Sequence, residues 1–253
     1  MTTAGHADAH LRALIAVMAG LPGAEGGRRG EARWALSGIP WPIFNGAAGG
    51  APGDVDAGVA ALRAHGRPAF WWTTSATPPA VLDALRAAGM EAHDRGDWEE
   101  AELAALPPAG VPDGVRLDEV RGEAAHRTWA AALCRIYGFP EVAERSWLES
   151  ARRCGWDGLP WRQWTAFDDT AGGEPVGVTL LLCGGGVASL YAVGTLAAAR
   201  RRGIGRALTL VPLHASGARV AGFLSSEEGA LLYDALGFER RGTVTRWRLA
   251  GAW

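Results

Sequence analysis

The sequence predicts an α/β (α+β) chain built as two similar domains in tandem, each a mostly antiparallel mixed sheet flanked by helices. Three observations carry that reading. The chain has 253 residues, 48% of them hydrophobic, which is enough to bury two cores of ordinary size. Prolines and glycines concentrate in ELAALPPAGVPDGVRL, residues 102–117, between two stretches of regular periodicity, so domains are expected at 1–105 and 115–253 with 106–114 as the linker. The two halves also share a pattern: in 65–91 and in 216–239 a glycine ends a helix, a short strand follows (69–73; 220–224), and Ser/Thr residues suited to an N-cap come next. A helix containing Asp-Ala-Leu then closes on Gly89-Met90-Glu91 in one half and Gly237-Phe238-Glu239 in the other.

Along the chain, LRALIAVMAGLPGA reads as an opening amphipathic helix and not as a signal peptide, because its apolar run is short, Asp8 lies just upstream and no small-x-small cleavage site follows. In the second half, helices are expected across 121–154, a strand near 163–167 and a hairpin over 175–196. The hairpin turns at CGGG, residues 183–186, where successive glycines allow positive φ. A turn rich in arginine and glycine leads to a helix over 204–214, then strand, helix, and a last strand near 244–249.

Composition excludes several function classes. The formal net charge is −2, so no overall basic field draws the chain to nucleic acid or anionic lipid, and neither is expected as a partner. The 25 basic residues are all arginine; with 36 glycines on an Ala-rich background this is the coding bias of a G+C-rich bacterium. The absence of lysine excludes a Schiff-base lysine and a GK[ST] phosphate loop. Three cysteines without CxxC spacing indicate neither a disulfide framework nor a zinc site, and a reducing cytoplasm fits them. His6 and His10 read as a solvated helix face, so no metal is expected. The chain contains no apolar run of the roughly 18 residues that a membrane span needs.

The stretch AAARRRGIGRAL, residues 197–208, is the informative one. Gly203 and Gly205 let the backbone turn tightly and expose consecutive N–H groups, and the helix that they open adds its positive N-terminal end. That combination is an anion cradle. A dinucleotide fingerprint fails, because Leu208 stands where a third small residue is needed and no suitably placed acidic residue follows a second parallel strand.

These residues resemble the GNAT superfamily of N-acetyltransferases, whose acyl-CoA signature [RQ]-x-x-G-x-[GA] is matched by Arg200-x-x-Gly203-x-Gly205. A second element, SSEEGALLYDALGF, resembles the family's closing pattern, and the two occur in the family's order. The resemblance covers roughly 115–250 and implies acetyl-CoA as co-substrate, a direct transfer to a primary amine of a small-molecule acceptor, and a monomer or homodimer. It implies that backbone N–H groups of Arg201, Arg202, Gly203, Ile204, Gly205 and Arg206, beside Arg200, hold the pyrophosphate. Val193 and Thr195 would bind the pantetheine arm, with the N–H near Val193 polarising the thioester carbonyl, and Ser226 would face the same arm. Tyr233 would be the general acid for the leaving thiolate. The strand position where some members carry a glutamate base is Ser189, so the base is left open between water and Glu227 or Glu228.

In the first half the corresponding stretch is GAAGGAPGDVDAG, with Asp54 and Asp56 at the start of the next helix and Leu82 or Leu85 in place of the tyrosine. Two carboxylates there would repel a pyrophosphate, so this half is expected to be degenerate. Trp129, Trp147, Trp156, Trp161 and Trp164 read as core packing, with an aromatic wall for an organic cation as the alternative. A non-catalytic acyl-CoA sensor is the rival function, favoured by the missing strand carboxylate and opposed by Tyr233.

Overall fold

In the computed structural model, which describes residues 3–251, the chain forms two compact units, 1–98 with 240–253, and 99–239. The sequence put the division at 106–114 and gave the whole C-terminus to the second domain. The difference has a physical cause. Pro and Gly mark where regular backbone bonding stops, but a unit is defined by pairing in space, and the C-terminal strand pairs antiparallel with the first half, Val244 opposite Thr74 and Trp247 opposite Trp71.

Unit 1 opens with helix α1 (Thr3–Ala19), then β1 (Glu25–Arg29), β2 (Ala32–Leu36), β3 (Asn45–Ala48), α2 (Val55–His65), β4 (Phe70–Thr74), α3 (Pro79–Ala87) and β5 (Met90–Glu102), which runs on into unit 2. The C-terminal strand β11 (Glu239–Leu249) completes its sheet in the order β1-β2-β3-β4-β11-β5. The pairs β1–β2 and β2–β3 are antiparallel and β3–β4 is parallel. Helices α2 and α3 bury Val55, Val59, Leu62, Val81 and Leu85 against Trp71 and Trp247. Leu85, one of the two candidates for the tyrosine position, is therefore a core residue.

Unit 2 contains β6 (Val115–Glu119), α4 (Gly122–Tyr137), α5 (Glu141–Arg153), β7 (Arg162–Asp168), β8 (Glu174–Gly184), β9 (Val187–Thr195), α6 (Ile204–His214), β10 (Val220–Ser225) and α7 (Glu227–Leu236). Its strands lie in the order β10-β9-β8-β7-β6, and only the β9–β10 pair is parallel, with the others antiparallel. The hairpin turns where expected, with Gly185 and Gly186 at φ 65° and 83°. One core joins Leu210 and Leu213 of α6 to Phe223 of β10 and to Tyr233, Leu236 and Phe238.

Four of the five tryptophans follow the core-packing reading, while Trp156 is half-buried at φ 66°, with the Arg127 guanidinium 6.0 Å from its ring. Trp129, Trp147, Trp161 and Trp164 are all buried, and three of them interlock edge-to-face, Trp129 on Trp147 at 5.2 Å between centroids and Trp147 on Trp161 at 6.1 Å. His10 departs from the solvated-face expectation: it is fully buried and packs on Trp98 at 5.8 Å. Its helix turns that face inward, a choice that hydrophobic neighbours at i±3 and i±4 make and a lone pair of histidines does not reveal. Among the described residues, no cluster of His, Cys, Asp or Glu could hold a metal ion, and no helix is long and apolar enough to cross a membrane.

Candidate functional site

The site begins with a defect in a ladder. β8 and β9 pair regularly from Gly184 opposite Val187 to Leu180 opposite Tyr191, then resume at Val178 opposite Gly194, so Ala192 and Val193 together face Thr179 alone. Ala192 takes a positive φ of 54° to accommodate the extra residue. The carbonyls at the bulge find side-chain donors instead: the Trp129 indole N–H donates to Thr179 O at 3.2 Å, and the Tyr137 hydroxyl donates to Val193 O at 2.8 Å. Gly194 permits this approach, since a Cβ there would lie 2.7 Å from Ile136 and 2.9 Å from the Tyr137 ring.

On its other side β9 separates from its neighbour. The parallel pairing of β9 with β10 is confined to Val187 opposite Val220 and Ala188 opposite Ala221. Beyond it the pairing ends, so the edge of β9 from the bulge through Thr195 has no β10 partner, toward the carboxyl ends of the strands, where open α/β sheets bind ligands.

The arginine–glycine turn lies between the end of β9 and the start of α6. Arg201 adopts φ 65°, a left-handed conformation that a non-glycine residue rarely takes, and Gly203 follows at φ 79° as the residue capping α6. A side chain at Gly203 would bring its Cβ within 3.1 Å of Pro112, so space and backbone both call for glycine. Alternation of left- and right-handed residues turns successive N–H groups to one side, and the first turn of α6 contributes more N–H groups without intrahelical partners and contains no acidic residue. Arg202 is not a ligand arm. Its guanidinium forks onto the buried Asp168 carboxylate, whose pKa is held well below the usual carboxylate range by that pairing and by the Thr170 hydroxyl. Arg200 lies beside Thr195 O at 3.3 Å and Glu228 at 3.7 Å, while Arg201 and Arg206 are exposed.

Tyr233 points from α7 into the aromatic core. It is 6% exposed, packed edge-on to Phe223 at 4.5 Å and Phe238 at 5.9 Å, and its hydroxyl has no hydrogen-bond partner among the described residues. Burial pushes its pKa up, and the nearby Tyr137 and Glu99 add to the rise. Tyr137 is itself pushed up to about 12, by burial and then by the charge of Glu228. Both phenols keep their protons throughout the physiological range. Ser226 caps α7, its hydroxyl oxygen accepting from Gly229 N at 3.3 Å.

Three contributors were not found from the sequence. Tyr137 sits far upstream at the end of α4, Asp168 at the end of β7, and Glu99 on a strand placed before the expected domain start. Glu99 is 3% exposed and accepts from Ser225 Oγ at 3.1 Å, at the carboxyl end of β10. Glu227 and Glu228, the carboxylates considered from sequence, are exposed on the first turn of α7. A buried glutamate in a strand is the one signal that sequence offered, and it shows only when the strand's pairing is known.

The matching loop in unit 1 is built differently. The Asp54 carboxylate, on the residue immediately before α2, accepts from Ala51 N at 3.0 Å and from Glu31 N at 3.4 Å and makes no bond to the helix itself, so it sets a negative charge beside the helix start.

No family model and no curated protein matches this chain by sequence. Solved structures do match it. A GCN5-related N-acetyltransferase from Kribbella flavida superposes with a TM-score of 0.72 at 20% identity, over 99% of this chain and 97% of that one. A tandem GNAT protein from the clavulanic acid biosynthesis pathway gives 0.61 at 18% identity, over 90% of this chain and 83% of that one. A GCN5-related N-acetyltransferase from Sphaerobacter thermophilus gives 0.58 at 18% identity, over 86% and 80%.

Proposed function

From a chain with the tandem fold of the GCN5-related N-acetyltransferases, we propose that unit 2 transfers an acetyl group from acetyl-CoA directly to the primary amine of a small acceptor. One observation carries the reading: the β9 bulge, with Val193 O held by the Tyr137 hydroxyl, lies on the strand that leads through Thr195 into the left-handed turn at Arg201 and Gly203 and the acid-free start of α6. The residues fit the co-substrate. Arg201 and Gly203 in left-handed conformations and the acid-free first turn of α6 suit a pyrophosphate, and the free edge of β9 through Val193 and Thr195 suits an amide-bearing arm. The Val193 carbonyl is taken by Tyr137, which leaves the N–H of the bulge as the group to polarise the thioester carbonyl.

Tyr233 donates the proton that the departing thiolate needs. Its raised pKa keeps the phenol in its donor form throughout the physiological range. Glu99 supplies the base. The attacking amine passes its proton to Ser225 Oγ, and the Ser225 hydroxyl proton passes to Glu99 Oε1, the acceptor it already faces. A buried tyrosine serving as a proton donor distinguishes this reading from that of a sensor, which has no use for one.

Three results are expected. Glu99→Gln lowers turnover by about 10²-fold with coenzyme A affinity unchanged, the loss typical of a missing base, and equal turnover in the variant would remove Glu99 from the relay. For the native chain, kcat/KM rises with pH as the acceptor amine deprotonates and shows no falling limb up to about pH 10, because Tyr233 ionises above the ordinary phenol value. Asp168→Asn is expected to weaken coenzyme A binding by about tenfold, since freeing Arg202 loosens the turn without touching its N–H groups. Because the Asp168 pKa is depressed, the anchor is complete above the ordinary aspartate value and is lost only as pH falls through the lower folded value. Calorimetric affinities across pH 5–8 should therefore show no contribution from its titration.

A further inference from the structure

We infer that unit 1 carries a small-molecule site of its own, for an amine that also bears an oxygen acceptor, in the crevice where β3 and β4 separate. These strands run parallel and pair at Gly46–Phe70, Ala47–Trp71 and Ala48–Trp72. Past Ala48 the chain turns through Gly49, Gly50 and Ala51 toward α2, while β4 continues to α3. Parallel strands that leave to separate helices open a crevice at their carboxyl ends. Here it is a cavity of about 350 Å³, bordered by Asp8 and Arg12 of α1, by Glu31, and by Trp71, Trp72 and Val81. That volume lies within the range of small-ligand pockets, roughly 300–1,000 Å³.

The position corresponds to the end of the β9–β10 pairing in unit 2, but the chemistry does not. Asp54 takes Ala51 N and Glu31 N beside the start of α2, and Asp8 and Glu31 border the space, so a pyrophosphate would meet carboxylates there. Two groups on the wall are left unmatched. The Trp71 indole N–H is buried with no acceptor among the described residues, and Trp71, 0% exposed, borders the cavity. A donor in that state costs free energy that a ligand oxygen would recover. The Glu31 carboxylate has no cationic partner among the described residues, in contrast to Asp8, which accepts from Thr74 Oγ1 at 2.8 Å and lies 3.8 Å from Arg12. The occupant therefore brings an ammonium group for Glu31, an oxygen for Trp71, and apolar bulk for the indole and aliphatic wall.

Phenylalaninol has all three features and is the probe. Titration of the full chain is expected to show one saturable site. Phenylpropanol, which lacks the amine, and phenethylamine, which lacks the hydroxyl, should each bind at least about tenfold more weakly. Glu31→Gln should weaken phenylalaninol by about tenfold, the worth of a charge-assisted hydrogen bond. Ala51→Trp, at an exposed residue on the cavity wall, should abolish binding by filling the space. Coenzyme A affinity, read in the same variants, should be unchanged, which shows that the chain is folded and separates this site from that of unit 2. No binding to the native chain overturns the proposal, and so does binding that survives Ala51→Trp. Binding that Ala51→Trp abolishes but Glu31→Gln leaves intact overturns the assignment of an amine.

Discussion

Gly203→Asp abolishes coenzyme A binding while leaving the chain folded. The substitution places a carboxylate among the N–H groups that would receive the pyrophosphate, and it forces a side chain into φ 79°, with its Cβ 3.1 Å from Pro112. The conformational penalty alone is about 1–2 kcal/mol, a modest loss of stability at an exposed turn. The electrostatic effect is the larger one, because a helix N-terminus that welcomed an anion then holds one covalently. Calorimetry should give one coenzyme A per native chain and none for the variant, at a melting temperature within a few degrees of native. Gly203→Ala separates the two contributions: it keeps the strain, removes the charge, and should retain weakened binding. Undiminished affinity in Gly203→Asp would exclude the turn as the phosphate site.

Tyr233→Phe lowers turnover by about 10²–10⁴-fold with coenzyme A affinity intact, the range expected for loss of a general acid. The ring's packing on Phe223 and Phe238 is kept, and the hydroxyl leaves behind no broken hydrogen bond within the protein. Stability should change little for the same reason. Slow product release can hide a lost acid, so the rate is read in a single turnover with enzyme in excess. Equal single-turnover rates would make Tyr233 a packing residue and solvent the proton source.

How much of this was legible in the sequence depended on whether the signal was local. The turn was legible because phosphate cradles are contiguous: Arg200 to Arg206 hold their glycines and helix start within one stretch, and Arg201 and Gly203 take the positive φ values such a cradle needs. The capping residue Ser226 and the closing Leu236-Gly237 were legible for the same reason, each being a feature of one helix. The β9 bulge was not, because a bulge is a relation between two strands, and nothing in SLYAVGT marks Ala192 as the extra residue. Likewise Glu99, Tyr137 and Asp168 reach the site through pairing and helix packing across long sequence separations. The Arg202 side chain, to which the sequence reading assigned no part, forks onto Asp168 and braces the turn, while the role expected for this residue was that of its backbone N–H. In the N-terminal half Asp54 does stand beside the helix start, where it accepts from Ala51 N and Glu31 N and not from α2, but the cavity was invisible, since it is assembled from α1, β4 and the Gly49–Gly50 turn.

The most direct test of the central claim is thiol release from acetyl-CoA in the presence of primary amines, with amino acids, aminoglycosides, polyamines and arylamines in the panel. The account predicts release that depends on the amine, saturates in both substrates, and falls together with single-turnover rate in Tyr233→Phe. Tight coenzyme A binding by the native chain with no amine-dependent release from any member of the panel would contradict it, and would leave the free edge of β9 and its turn as the binding site of a sensor.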